Sequence, residues 1–260
     1  MKLIDLSISI EDNTINDPPY QRPHVRILKH KDTVEQMLSM FPGVTPEDLP
    51  GGNGWGIDFL DVCTHAGTHL DAPIHYYPTM NGGEPAWSID QVPLEWCIGN
   101  GVVMDFSDRG NGYKVTAKDM EDYCKKINYE IKEGDIVLIR SGAAAYFNTD
   151  KYLLSGVGMG YDSTMWLINH GVHVMGTDAW SWDVPLQLEA EEYKKTKDPS
   201  IIWEGHRVGK ERAYCHLEKL ANLDKLPPTG FQFQCFPIKI AGASAGWCRA
   251  VAILDEEQEG

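Results

Sequence analysis

His65-Ala-Gly-Thr-His69-Leu-Asp71-Ala-Pro-Ile-His75 gathers three of the chain's nine histidines and an aspartate into one short segment. The preceding residues, 57–64, read as a strand. The cluster therefore begins where a strand ends, and loop backbone there can converge several side chains on one point. Neutral imidazoles plus a carboxylate suit zinc, manganese or iron. Gly67 lets the backbone pass close to an ion, and Pro73 fixes the local turn. His65 and His69 have the spacing of a helical His-x-x-x-His pair, but Gly67-Thr68 and Pro73 oppose a regular helix, so a loop or single turn is expected. The zincin spacing His-Glu-x-x-His is absent, so a metalloprotease of that type is not supported. Further ligands must come from His24, His30, His170, His173, His206, His216 or distant carboxylates. His206 and Glu218 flank a segment, 210–220, that reads as helical. Composition and spacing do not choose among these.

Outward from the cluster, residues 3–10 alternate apolar and polar as a half-buried strand does. Residues 11–54 are rich in Pro, Gly, Asp and Asn and read as a long loop with a short helix near 33–40. Residues 101–106 form an apolar strand ending in Asp105. Thr116-Ala-Lys-Asp119 is a capping box, followed at helical spacing by Met120, Tyr123, Cys124 and Ile127. Strands are expected at 135–140, 172–175, 231–240 and 249–254, and a helix at 163–170 that stops at Gly171. Residues 181–205 form a charged, aromatic insertion with a helical piece. The spacing is not a clean βαβ alternation. The pattern predicts an α/β fold with a mixed sheet, one domain over 1–260, and long loops covering the site.

Of the 260 residues, 42% are hydrophobic and 23% charged, enough for a sizeable core. The formal net charge of −15 argues against nucleic acid and anionic membrane as partners. No apolar stretch approaches the roughly 18 residues that span a bilayer. Met1-Lys2-Leu3-Ile4-Asp5 lacks a signal-peptide core, so a cytoplasmic location is expected. The six cysteines are scattered without a Cys-x-x-Cys pair, and read as free thiols, neither a disulfide frame nor a zinc ribbon.

The run His65 to His75 with Tyr76 resembles the signature of the putative cyclase family of metal-dependent hydrolases, which includes bacterial kynurenine formamidases and isatin hydrolases. Asp5-Leu6-Ser7, Gly176-Thr177-Asp178-Ala-Trp180-Ser181, Glu218-Lys-Leu-Ala-Asn222-Leu223 and the closing Pro237 to Arg249-Ala250-Val251 resemble it too, so the resemblance covers nearly the whole chain. It implies a swivelling β/β/α fold and a homodimer or dimer-based homotetramer. It implies that His65, His69 and Asp71 hold one metal, with Asp71 bridging to a second held by His206 and Glu218. The cofactor would be one or two divalent ions, Zn2+ or Mn2+, and His75 the acid/base residue. The insertion 180–205 is longer than in simple formamidases, and Asn222-Leu-Asp-Lys-Leu-Pro227 looks more like isatin hydrolase.

The chemistry expected is cleavage of a formamide, amide or lactam C–N bond of a small substrate by metal-activated water. Trp55, Tyr76, Trp87, Trp180 and Trp182 are candidates for an aromatic wall around a cyclic or aromatic substrate. Asp178 and Ser181 are candidates for hydrogen bonds to ligands or substrate. A lactone or ester hydrolase, a polyketide-type cyclase or lyase, and a non-enzymatic metal-binding protein are the alternatives. Gly242-Ala-Ser244-Ala-Gly246 matches a nucleophile elbow, but that type of serine hydrolase needs a His after the Ser and none follows. Gly156-Val-Gly-Met-Gly160 lacks a preceding strand and the Lys-Ser/Thr of a phosphate cradle.

Overall fold

Three apolar strands, Ile98–Asp105, Ile136–Arg140 and Val174–Thr177, lie parallel at the centre of the molecule. Their Val, Ile, Leu and Met runs are buried on both faces, the usual condition of parallel strands. This computed structural model describes residues 1–255, and residues 256–260 of the expected domain lie outside them. Cys215–Glu218 adds a fourth parallel strand. Antiparallel strands continue the sheet on both sides: His69–Asp71 and Ala245–Trp247 beyond Cys215–Glu218, and Phe231–Gln234, Val251–Leu254 and Lys2–Asp5 beyond Ile98–Asp105. The mixed α/β sheet agrees with the sequence reading.

Side chains alternate between two cores, as the pleat requires. Val103, Ile136, Leu138, Leu70 and Leu217 enter one core. Val102, Met104, Val137 and Ile139 enter the other, with Met120, Leu167 and Trp182. The second face is covered by the helices Ala117–Ile127 and Tyr161–Asn169. The capping box is present: Thr116 Oγ1 accepts the Asp119 N–H, and the Asp119 carboxylate accepts the Thr116 N–H at 3.0 Å. Asn128, in the left-handed region, ends that helix.

Several expectations are corrected. Residues 210–220 are not helical: a short 3-10 turn, Val208–Lys210, precedes the strand Cys215–Glu218. That strand sits between Val174–Thr177 and His69–Asp71, and ladder bonds on both sides outweigh local propensity. The segment around His69 is not merely a loop, since His69–Asp71 is a sheet strand and Pro73–Tyr76 a single helical turn. Within 11–54 the helix Val34–Met40 is present, but so is an unexpected strand, His24–Leu28, paired with Ile57–Asp61 in a separate ribbon. The strand expected over 231–240 stops at Gln234, before Pro237. Among the described residues no helix is long and apolar enough to cross a membrane.

Candidate metal centre

The pairing of His69–Asp71 with Cys215–Glu218 builds the centre. Its register sets Asp71 opposite His216, Leu70 opposite Leu217, and His69 opposite Glu218. With a side-chain period of two, both leucines face one core while His69, Asp71, His216 and Glu218 share the other face. Gly67, at φ 67°, turns the chain from His65 into this strand, and a Cβ there would lie 2.8 Å from Ile10. The turn Pro73–Tyr76 brings His75 back over Asp71, and the turn Glu204–Arg207 delivers His206 from the far side.

Asp71 is fully buried and ringed by imidazoles. Its Oδ1 lies 2.8 Å from His65 Nδ1 and 3.2 Å from His69 Nε2. Its Oδ2 lies 3.1 Å from His216 Nε2 and 3.9 Å from His75 Nε2. Glu218 is the second carboxylate, 3.6 Å from His69 Nε2, 3.7 Å from His206 Nε2 and 3.3 Å from His216 Nε2. Candidate ligand atoms form two groups that share Asp71: His65 with His75, and His206, His216 and Glu218.

The outer nitrogens of the histidines are held from outside. His69 Nδ1 donates to the Gly67 carbonyl at 2.9 Å, which can only accept, so its Nε2 carries a lone pair. His206 Nδ1 pairs with Asp183, whose carboxylate also accepts the Gly205 and His206 N–H groups. His65 Nε2 meets Ser244 Oγ at 3.0 Å. A histidine ligand normally donates its other N–H in this way. Buried ring nitrogens then face buried carboxylates: His69 Nε2, His216 Nε2 and both Asp71 oxygens have no hydrogen-bond partner. Such orphaned groups are costly unless a cation lies among them, so the donor set fits a divalent metal.

Electrostatics follow the same geometry. Burial opposes ionisation of Asp71, but His65, His75 and His69 around it hold its carboxyl well below the usual range. Burial lowers His65, yet its pairing with Asp71 raises it overall. The Asp71 and Glu218 carboxylates outweigh burial at His216 and push it up to about 9. Burial, helped by His65 and opposed by Asp71, lowers His75. Burial and the neighbouring His216 lower His206 well below its ordinary value.

A cavity of about 190 Å³ opens onto this cluster, lined by Trp180, Ser181, Leu186, Trp203 and Lys219 beside His65, His75, His206 and Glu218. The structure thus brings together all six residues expected as ligands or acid/base, and Trp180 and Ser181 at the wall. Tyr76 lies beneath the cluster, its hydroxyl against Asp71 and His216. Trp55 and Asp178 are not at the cavity wall. The Trp55 carbonyl accepts the Thr33 hydroxyl, and the buried Asp178 carboxylate ties down the Ser141 and Ala144 N–H groups. Trp182 is a core residue whose backbone N–H donates to Glu218 at 3.0 Å, and Trp87 packs on Trp96.

Sequence reading left His216 among the unchosen histidines, weighed Ser244 only as a nucleophile, and missed Asp183, Trp203 and Lys219. His216 was detectable only by reading 215–218 as a strand, where i and i+2 share a face. Trp203, at φ 57°, lies face to face with His206 at 4.1 Å. Ser244 reaches His65 from the bend before the strand Ala245–Trp247, a contact that chain order alone does not reveal.

A mixed sheet carrying a buried histidine–carboxylate cluster at a strand pairing defines an α/β protein with a candidate metal centre. Residues 4–184 match the family model described as Putative cyclase, and the chain belongs to that family. It is 26% identical over 232 residues to a protein named kynurenine formamidase from Erythrobacter litoralis, covering 87% of this chain and 93% of the relative. It is 25% identical to cyclase-like protein 2 of Oryza sativa subsp. japonica, over 80% of this chain and 68% of that one. In fold it is similar to isatin hydrolase A from Ralstonia solanacearum, with a TM-score of 0.74 at 20% identity, covering 98% of this chain and 92% of the other.

Proposed function

We propose that this protein is a metal-dependent hydrolase that cleaves a C–N bond, in a formamide, amide or lactam, of a small cyclic or aromatic substrate. The observation that carries the reading is His69. With its Nδ1 hydrogen committed to Gly67, its buried Nε2 lone pair faces two carboxylates and needs a cation between them. The names of the relatives, kynurenine formamidase and isatin hydrolase, support the bond type. A cavity of about 190 Å³ is small beside the roughly 300–1,000 Å³ of common ligand pockets, and its indole walls suit a flat ring.

His65, His69, Asp71, His206 and Glu218 would hold one or two ions, zinc or manganese, which when bound supply an acidified water and a Lewis acid for the carbonyl. His75 is the acid/base residue. Burial keeps its imidazole neutral near pH 7, so Nε2 can take a proton from the attacking water and return it to the leaving nitrogen. Trp203, edge-on to His75 at 5.2 Å, and Trp180 narrow the entrance and orient the ring. We further read the protein as a cytoplasmic homodimer or dimer-based homotetramer. The exposed Ile27, Phe59 and Leu60 on the His24–Leu28/Ile57–Asp61 ribbon support the assembly, and the six free cysteines the compartment.

One observation favours a second reading. Ser244, His65 and Asp71 are aligned by the 3.0 and 2.8 Å contacts of a nucleophilic triad. A triad uses one histidine on its carboxylate, however, whereas Asp71 serves four here. Elemental analysis of purified protein should find one or two ions per chain, and chelation should abolish cleavage of N-formyl arylamines and lactams. Full activity in metal-free protein would overturn the reading.

A further inference from the structure

We propose that His216 is an additional ligand of the inner metal position, the one shared by Asp71, His206 and Glu218, and that the Tyr76 hydroxyl selects its Nε2 as the coordinating atom. The inference rests on the cluster being a metal centre, and adds to it a residue outside the expected ligand set.

His216 is fully buried, and its ring is clasped between two aromatic rings. Tyr76 stacks on it at 5.1 Å and 21°, and Trp182 at 5.5 Å and 16°. The imidazole cannot tilt, so its nitrogens point in fixed directions. Nε2 faces Asp71 Oδ2 at 3.1 Å and Glu218 Oε1 at 3.3 Å, yet forms no hydrogen bond with either. One proton on Nε2 can point at only one of these oxygens at a time, whereas a cation can lie among all three atoms.

Tyr76 decides where the ring proton sits. A phenol has one proton and two lone pairs, and this one has three neighbours. The His216 backbone N–H, at 3.1 Å, can only donate to it. The Asp71 carbonyl, at 3.3 Å, can only accept from it. The third neighbour, His216 Nδ1 at 3.2 Å, is satisfied together with the other two when it donates. When a cation takes the place of the Nε2 proton between the two carboxylates, His216 keeps its other proton on Nδ1 and presents Nε2 inward. His69 and His206 have the same polarity, fixed by Gly67 and Asp183.

The consequence is a nitrogen-richer inner position. Asp71, His206, His216 and Glu218 offer two imidazoles and two carboxylates whose ligand atoms lie within 4.8 Å of one another. Imidazole suits zinc, whereas oxygen-rich sites suit manganese. His216 should bias the inner position toward zinc.

The test uses the full chain, with the wild type, His216→Gln and Tyr76→Phe each stripped and reloaded with zinc, manganese or cobalt(II). Circular dichroism reports folding. Chelator competition reports affinity and ions per chain, and the visible cobalt(II) bands report the ligand set. His216→Gln should weaken zinc at one position by more than the roughly 10–100-fold typical of losing an outer partner. It should also lower the zinc-over-manganese preference and shift the cobalt(II) bands. Tyr76→Phe should keep the ion count but weaken zinc by about 10–100-fold. Wild-type zinc affinity and unchanged cobalt(II) bands in the folded variants would overturn the proposal while leaving the metal centre intact. If His216→Gln does not fold, Tyr76→Phe decides alone. A wild-type protein that binds none of the three metals would overturn the metal-centre reading, and this proposal with it.

Discussion

His75 and Ser244 are the two residues at which the rival chemistries part. His75 Nε2 lies 3.9 Å from Asp71 Oδ2 and lines the cavity, where the proposed acid/base role needs it. His75→Ala should therefore lower kcat by about 10²–10⁴-fold, the usual contribution of a general base, with metal content preserved. Equal loss of metal and activity would make His75 a ligand. Ser244 is different. In a metal centre its hydroxyl only accepts the His65 Nε2–H and fixes which nitrogen faces inward. Ser244→Ala should then keep most turnover and weaken metal binding modestly. Complete loss of turnover with full metal loading would revive the serine nucleophile. The segment His65 to His75 was legible because its ligands are close in sequence and chemically conspicuous. His216 was not, because one histidine two residues before a glutamate has no distinctive spacing until the strand pairing is known.

At the scale of elements, the helix Leu186–Thr196 secures one wall of the cavity. Leu186 lines it, and one turn further on the Glu189 carboxylate accepts the Trp203 backbone N–H at 3.2 Å, where the Trp203 backbone is left-handed and its indole lies over His206. Burial raises the Glu189 carboxyl from 4.5 to about 7, with Glu204 adding to the rise. A raised folded-state value means the protonated form is favoured by the fold. Its stabilisation is complete below about pH 4.5 and is lost as pH rises through 7. Glu189→Gln mimics the protonated form, so its melting temperature should match wild type near pH 4.5 and exceed it by a few degrees above pH 7. A constant difference across that range, measured by calorimetry, would count against the assignment. Elements with autonomous signals were legible: the Thr116 capping box and the apolar runs at 136–140 and 174–177. Residues 215–218 were misread because their state depends on neighbours more than 30 residues away in sequence. The ribbon strand His24–Leu28 was hidden in a Pro/Gly-rich stretch, where the alternation of Val25 and Ile27 is too short to stand out.

The whole molecule carries a net charge of −15, and two of its carboxylates are buried together at the cluster. An ion bound only by the folded chain stabilises it by mass action, roughly 2.7 kcal/mol at a hundred times Kd. For a chain of this size that is a rise of roughly 5 °C or more in Tm. Titrating zinc into stripped protein should raise Tm with the logarithm of free zinc, and chelator should reverse the rise. A melting temperature indifferent to zinc from sub-stoichiometric to large excess would contradict a preformed site. The overall architecture was legible as a mixed sheet, because runs of buried strands without strict helix alternation point there. The sheet order was not, since it depends on pairings such as Lys2–Asp5 with Val251–Leu254.

The pleat at His69–Asp71 and Cys215–Glu218 also shapes how such a chain can change length. Both strands place Leu on one face and ligand candidates on the other, in strict alternation. Removing or adding one residue in either strand would rotate leucines into the cavity and imidazoles into the core. Two residues would restore the parity but shift His216 and Glu218 past their partners. Length variation at this centre is therefore confined to the connections. The 180–205 insertion lies in one of them, so the chain could lengthen there while the four cross-strand partners kept their places.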